Sequence, residues 1–434
     1  MTGTDRMTYK FEWNEFADQP HNVAPRSERT RHHFRHWRTY VSMAWADILS
    51  GVPSLFLYRR YRKRMYRRPV KIGRDMFAVS VSPQAGRNED VVALLRETGV
   101  RETLIRIPSW EKENLEAYAK FAGLLRARDI GLTVALLQRR EDVFEPASWR
   151  RFLEDVFARF RAFSPFYEIG HAWNRTKWGV WDYTEYLKLA RPAFALREKY
   201  GVKLVGPAVI DFEFHLYPPT LRALPFDKVS SLLYVDRMGA PENAQFGWTT
   251  AMKVALLKAV ADGSAPKPRG CWITETNWPL RGTGKYSPAS GTPNVTEEEQ
   301  ADYLVRFYVL CLAGGMIERV FWWQLVAPGY GLVDSRETAW RRRPSFFALK
   351  TMVGILSGGS FTKKAGCPGR RGAEIFHFEK DGNKLAVCWT NGPPFEHEFA
   401  DPVSGIVGRD GSALEARGNR VGIEGSPKYV FFKS

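Results

Sequence analysis

Met76-Phe77-Ala78-Val79-Ser80-Val81-Ser82 is a short apolar run of the kind that forms a buried strand. An amphipathic helical pattern over Glu89–Thr98 and a second apolar run over Thr103–Pro108 follow it. Together they make a strand–helix–strand unit. An open nucleotide-binding sheet would place a glycine-rich phosphate loop directly after such a first strand. Ser80-Val81-Ser82-Pro83 stands there instead. Further strand patterns lie at Leu132–Gln138, Phe166–His171, Lys203–Ile210, Ser231–Asp236, Cys271–Thr276 and Val320–Leu325. Helical patterns separate them at Leu115–Arg128, Ser148–Phe163, Tyr183–Tyr200, Thr249–Ala261 and Glu297–Leu312, and Pro344–Leu356 is the last. Eight strands, nearly each followed by a helix, predict a (β/α)8 TIM barrel over residues 76–357.

The pattern changes on both sides of that span. Beyond residue 358 helical periodicity is gone. Ala373–Phe378 and Lys384–Trp389 flank the turn signal Lys380-Asp381-Gly382-Asn383, and strand-like runs continue to Lys428–Phe432. Residues 358–434 are therefore predicted to form a C-terminal antiparallel β-sandwich on the barrel. Before the barrel, residues 26–74 carry 14 Lys and Arg against Glu28 and Asp47, a local balance of +12 within a net charge of +17 for the 434 residues. No nucleic-acid partner is expected, because no recognised nucleic-acid-binding fold accompanies the charge.

Within that basic stretch Tyr40–Tyr58 is apolar, bracketed by Arg35 and Arg38 before it and a run from Arg59 to Arg68 after it. It contains Asp47 and is predicted to break near Gly51-Val52-Pro53. A spanning helix needs about 20 predominantly apolar residues, and heavy positive charge on both sides disfavours crossing. Residues 1–75 are read as a basic, helical arm that lies on an anionic membrane surface, with a core helix beside a solvated basic stretch as the alternative. No export signal precedes it, which points to peripheral attachment on the cytoplasmic side of a bacterial inner membrane. A composition of 44% hydrophobic and 26% charged residues excludes a disordered chain. Cys271, Cys311, Cys367 and Cys388 show no paired spacing, which excludes a zinc ribbon and argues against a disulfide scaffold. No metal-ligand or nucleotide motif is present, so no cofactor and no metal are expected.

Active sites of such barrels form at the C-terminal strand ends. The seventh strand ends Thr274-Glu275-Thr276-Asn277-Trp278, and the second places Arg106 among apolar residues in Leu104-Ile105-Arg106-Ile107-Pro108. A buried arginine needs an anionic partner, and Glu275 is the natural one, as a held carboxylate or as a purely structural counterion. The sixth strand ends at Tyr234 and Asp236, and the eighth carries Trp322 and Trp323, which face opposite ways in a regular strand. Trp278 and Trp323 offer flat apolar faces to a sugar ring.

These residues resemble those of the clan A retaining glycoside hydrolases, over about residues 76–434. The resemblance implies Glu275 as nucleophile, Arg106 and Tyr234 as the groups that orient it, and Trp322 or Trp323 as the sugar floor. On the fourth strand the family pattern is like Y-E-I-G-N-E-P-N, where this chain reads Tyr167-Glu168-Ile169-Gly170-His171-Ala172-Trp173-Asn174. Ala172 replaces the acid/base glutamate and His171 the preceding asparagine. Retaining hydrolysis uses two carboxyls about 5–5.5 Å apart, and one is missing from its usual place. His171 is the nearest substitute, since imidazole can act as an acid near neutral pH; Glu168, Asp211, Glu213, Asp236 and Glu242 also lie near strand ends. Asn174, Arg175 and Lys177, just beyond the fourth strand, are either contacts for an acidic sugar or phosphate or ordinary loop polar groups. The expected activity is O-glycosyl chemistry on a carbohydrate or glycolipid, with a surface polysaccharide or lipopolysaccharide as the glycoconjugate. The competing readings are a glycan-binding scaffold without turnover and a glycosyltransferase using an activated donor.

Overall fold

The structure is a computed structural model that describes residues 11–21, 25–235, 239–265, 269–287 and 294–433. Eight parallel strands close into a barrel: Phe77–Ser80, Glu102–Pro108, Gly131–Leu137, Phe166–Ile169, Lys203–Ile210, Lys228–Leu232, Gly270–Thr276 and Ile317–Trp322. Side-chain alternation divides each strand between two environments. Ile105, Ile107, Tyr167, Ile169 and Trp322 point outward into the main core beneath the helices. Ala78, Leu104, Ala135, Trp272 and Phe321 point inward and fill the barrel interior. The same alternation brings Arg106 and Glu168 inward, above that apolar filling.

The sixth strand runs over Lys228–Leu232, not the predicted Ser231–Asp236, and Tyr234 stands just past its end. Lys228, Ser230 and Ser231 masked its apolar signal, although Ser230 and Ser231 are fully buried. The eighth strand ends at Trp322, so Trp323 already belongs to the loop above. Helices Tyr183–Tyr200, Glu297–Leu312 and Pro344–Leu356 have the predicted bounds. Asp182 caps the first of these through Thr184 N and Glu185 N, and Thr296 with Glu299 forms a capping box on the second.

The C-terminal region is a seven-stranded sheet faced by the small pair Phe395–Glu398 and Arg420–Ile423. One face, with Phe361, Phe376 and Trp389, packs on the barrel, while Ile375, Ala386 and Val430 meet Phe399, Val421 and Ile423 on the other. The predicted hairpin turns at Asp381 and Gly382, both at positive φ, as a tight two-residue turn requires. One edge strand of this sheet is Val70–Lys71, from before the barrel.

The N-terminal residues are built onto the barrel at several points. Helix Trp37–Arg64 runs unbroken through Gly51 and Pro53, contrary to the expected break. Its buried side, Ala46, Ser50 and Ser54, docks on helices Tyr217–Ala223 and Thr250–Gly263. At Gly263 an added Cβ would come 2.4 Å from Ser54 Oγ and 2.9 Å from Ser54 N, so the two helices touch backbone to backbone. That close support holds the turn where Pro53 removes one hydrogen bond. Among the described residues this is the one helix long and apolar enough to cross a membrane. Trp37, Val41, Trp45, Ile48, Val52 and Phe56 stay exposed along the side away from the barrel. Further upstream, Trp13–Asn14 pairs with Gln19–Pro20 in a short hairpin that lies over the barrel mouth.

Candidate active site

Glu275 reaches the barrel interior because the seventh strand is irregular: its pairing with the sixth shifts register between Ile273 and Glu275. Such an irregularity re-aims a side chain without ending the strand. Glu275 Oε1 accepts a 2.5 Å hydrogen bond from the Tyr234 hydroxyl, and Oε2 is paired with Arg106 Nη2. Both side chains of the ion pair are less than a tenth exposed. The Arg106 guanidinium lies 3.3 Å above the centroid of the Trp323 ring, which stacks in turn against Tyr330. The expected sugar floor therefore has its face covered by the arginine.

His171 completes the floor. Its Nε2 is 3.1 Å from Arg106 Nη2 and 3.4 Å from Glu275 Oε2. Gln138 fixes the backbone beneath it, accepting from His171 N at 2.8 Å and donating to His171 O at 3.0 Å. Burial, then Arg106 and Lys177, push the imidazole well below its ordinary range. The ring is therefore neutral at physiological pH. His171 thus touches the site, and the lowered pKa disfavours the imidazolium that the expected acid role needs. Glu168 lies one layer deeper and fully buried; burial raises its carboxyl to about 7, with Glu275 adding to the rise. It stands under the site and does not line the cavity.

Other expected contacts are taken up elsewhere. Asn174 donates to Ile210 O and accepts from Ile210 N, both at 2.9 Å, so its amide ties two strand ends together. Trp278 and Trp322 stack with centroids 5.9 Å apart in the core outside the strands, a consequence of the alternation that turns Trp323 inward. Neither can meet a sugar. Arg175 pairs with Asp211 at 2.5 Å and with Glu213, at the cavity edge. Glu242 is held by Arg306 and by Trp389 Nε1 at 2.7 Å, at the junction with the C-terminal sheet. Asp236 lies outside the described residues.

The cavity has a volume of about 190 Å³, against about 300–1,000 Å³ for pockets that hold drug-sized ligands. It is small because Ala17, Asp18 and Gln19 of the N-terminal hairpin roof it. Asn14 Oδ1 accepts from Phe16 N and Ala17 N and shapes the turn. Trp13 packs on Trp110 and Trp178 with centroids 5.1 and 5.9 Å away. Gln19 Oε1 accepts from Lys177 Nζ at 2.6 Å. The sequence reading passed over these residues. Their signal was Phe11, Trp13 and Phe16 beside the turn formers Asn14 and Asp18, in a stretch without the arginines that follow.

Away from the cavity, His32, His36 and Asp182 each offer one ligand-type atom within 4.8 Å of the others. His32 Nε2 is hydrogen-bonded to Asp182 Oδ2 at 2.7 Å, and Asp182 also caps its helix, so this group already has a structural role. The four cysteines are unpaired, and three of them are buried.

No family model and no curated relative matches the sequence. Solved structures do match its fold. One is a family 39 glycoside hydrolase from the gut symbiont Bacteroides cellulosilyticus WH2, with 15% identity, a TM-score of 0.63 and coverage of 83% of this chain and 81% of that one. A GH30 endoxylanase from Clostridium papyrosolvens C71 shows 12% identity and a TM-score of 0.59, over 84% of this chain and 98% of its own. A GH51 arabinofuranosidase from Xanthomonas axonopodis pv. citri shows 12% identity and a TM-score of 0.58, over 84% and 98%. This chain shares the fold of these structures, a closed eight-stranded parallel barrel with a C-terminal antiparallel sheet.

Proposed function

We propose that the protein is a glycosidase that cleaves or transfers an O-glycosyl bond of a carbohydrate or glycolipid, with Glu275 as nucleophile. The carrying observation is the state of the Glu275 carboxylate. Tyr234 and Arg106 hold one oxygen each, and the group faces the same cavity as Trp323 and His171. A carboxylate oriented at both oxygens and open to a pocket is suited to attack an anomeric carbon. The activities named for the structural neighbours support the same chemistry.

The finer reading is a bacterial glycoconjugate, of the surface polysaccharide or lipopolysaccharide type, met at an anionic membrane surface. Its support is the helix Trp37–Arg64: the side away from the barrel exposes Trp45 (61%), Val52 (78%) and Phe56 (67%), and Arg59 to Arg64 follow directly. Apolar groups flanked by cations suit the interface of an anionic leaflet.

Mechanism-based labelling tests the nucleophile. A panel of 2,4-dinitrophenyl 2-deoxy-2-fluoro glycosides is expected to leave a sugar on Glu275, seen by peptide mapping, and none on Glu275→Gln. If no probe labels Glu275, this reading fails. Ala172 favours a second reading, in which an activated donor leaves without a proton. Turnover confined to sugar phosphates or nucleotide sugars would identify transfer.

A further inference from the structure

Ala172 is fully buried in the cavity wall and carries no proton. The second carboxyl of the cavity, beside Glu275, comes from outside the barrel. Asp18 sits at the tip of the hairpin Trp13–Pro20, with Oδ2 3.4 Å from Arg106 Nη1 and its backbone oxygen 3.3 Å from the same nitrogen. Glu275 holds the neighbouring nitrogen, Nη2, so the two carboxyls flank one guanidinium. A planar guanidinium presents its donors at fixed, close positions. Two carboxyls held on one guanidinium are close neighbours, and each acts on the charge of the other; retaining glycosidases likewise work with a close pair, about 5–5.5 Å apart.

We propose that Asp18, carried over the barrel mouth by the N-terminal hairpin, is the general acid and base for Glu275. The proposal rests on the reading of Glu275 as nucleophile. In the first step Glu275 Oε forms a bond to the anomeric carbon, the bond from that carbon to the leaving oxygen breaks, and the Asp18 proton passes to that oxygen. In the second step Asp18, now ionised, takes a proton from water. The water oxygen bonds to the anomeric carbon, and the bond to Glu275 breaks.

Asp18 has the setting such a role needs. Its side chain is 26% exposed, so it faces the cavity without being lost in solvent. Burial raises its carboxyl to about 6, against the lowering effect of Arg106 and with help from Glu275 and Glu111. His171 and Lys177 line the same cavity, the one neutral and the other bonded to Gln19 of the hairpin. At pH 6–7 a share of the carboxyls keeps the proton. The hairpin is anchored on three sides, by Trp13 on Trp110 and Trp178, by Gln19 on Lys177, and by Phe16 edge-on to Tyr286 at 5.2 Å. The roof is thus a fixed part of the site.

The test compares leaving groups in the full chain, using the glycone found by labelling. With alkyl or methylumbelliferyl glycosides, Asp18→Ala and Asp18→Asn are expected to lose about 10²- to 10⁴-fold in turnover. With dinitrophenyl glycosides, which need no protonation, labelling of Glu275 is expected to continue at close to the wild-type rate. Azide is expected to restore turnover of the Asp18→Ala enzyme and to yield a glycosyl azide. Asp18→Asn keeps the shape of the side chain, and labelling of Glu275 in that variant reports an intact site. If both variants cleave the poor leaving groups as fast as wild type, or faster because the hairpin merely blocks the site, the assignment of Asp18 is overturned while labelled Glu275 still stands. If the wild-type protein is never labelled, the nucleophile reading is overturned and this proposal with it.

Discussion

Trp322 and Trp323, consecutive in sequence, lie on opposite sides of the barrel wall. Trp322 stacks on Trp278 in the outer core, and Trp323 lies under the Arg106 guanidinium inside the mouth. Truncation should separate them. Trp322→Ala is expected to cost about 3–5 kcal/mol of stability, as loss of a large buried ring does, measured by urea unfolding. Trp323→Ala is expected to cost less and to weaken labelling of Glu275 instead. Equal losses of stability would show that Trp323 is core like its neighbour.

Arg106 connects the nucleophile to the rest of the site. Arg106→Met leaves Glu275 buried with only the Tyr234 bond and His171 nearby. Breaking one side of a buried pair costs about 3–5 kcal/mol, so the variant should unfold at lower denaturant. Glu275 labelling should slow more in this variant than in Tyr234→Phe, which removes a single hydrogen bond. A reversed order would make Tyr234 the main orienting group.

His171 should make the protein acid-sensitive. Its folded pKa lies well below the ordinary value near 6.5. As pH falls below that value, the unfolded chain takes up a proton that the folded one refuses, and stability drops by up to about 1.4 kcal/mol per pH unit. The stability of wild type relative to His171→Gln should therefore decline between pH 7.5 and 5. A constant difference would mean that the ring is not held neutral.

Glu168 has the opposite sign. Its folded carboxyl titrates near 7, against about 4.3 in the unfolded chain, so between those values only the folded state gains the proton. Wild type should gain stability relative to Glu168→Gln as pH falls through that window, until the unfolded chain protonates too. Denaturation at pH 7.5, 6 and 4.5 checks the trend.

Membrane binding should depend on the exposed side of helix Trp37–Arg64. Because Val70–Lys71 and the hairpin Trp13–Pro20 are built into the rest of the fold, point changes test it better than truncation. Trp45→Ser with Phe56→Ser is expected to abolish sedimentation with phosphatidylglycerol vesicles, and wild-type binding should weaken as salt rises. Thermal unfolding should hardly change, since both side chains are exposed. Undiminished sedimentation of the double variant would remove the membrane reading.

The barrel and the facing of its side chains were legible because alternation and helical period are local properties of the chain. A reader of Leu104-Ile105-Arg106-Ile107 can place Arg106 inside, and the carboxylate closing the seventh strand is its evident partner. The bends that depend on distant contacts were not legible. Helix Trp37–Arg64 passes through Pro53 because another helix supports it at Gly263. The Asn174 amide is used by Ile210, a partner 36 residues away. The scaffold, the Arg106–Glu275 pair and the lack of a carboxyl at Ala172 all follow from the order of the residues. The hairpin that roofs the cavity emerges on folding alone, because strands of two residues have no periodicity to read. Asp18 is brought to Arg106 from 88 positions away, by aromatic packing on a barrel that must already be closed.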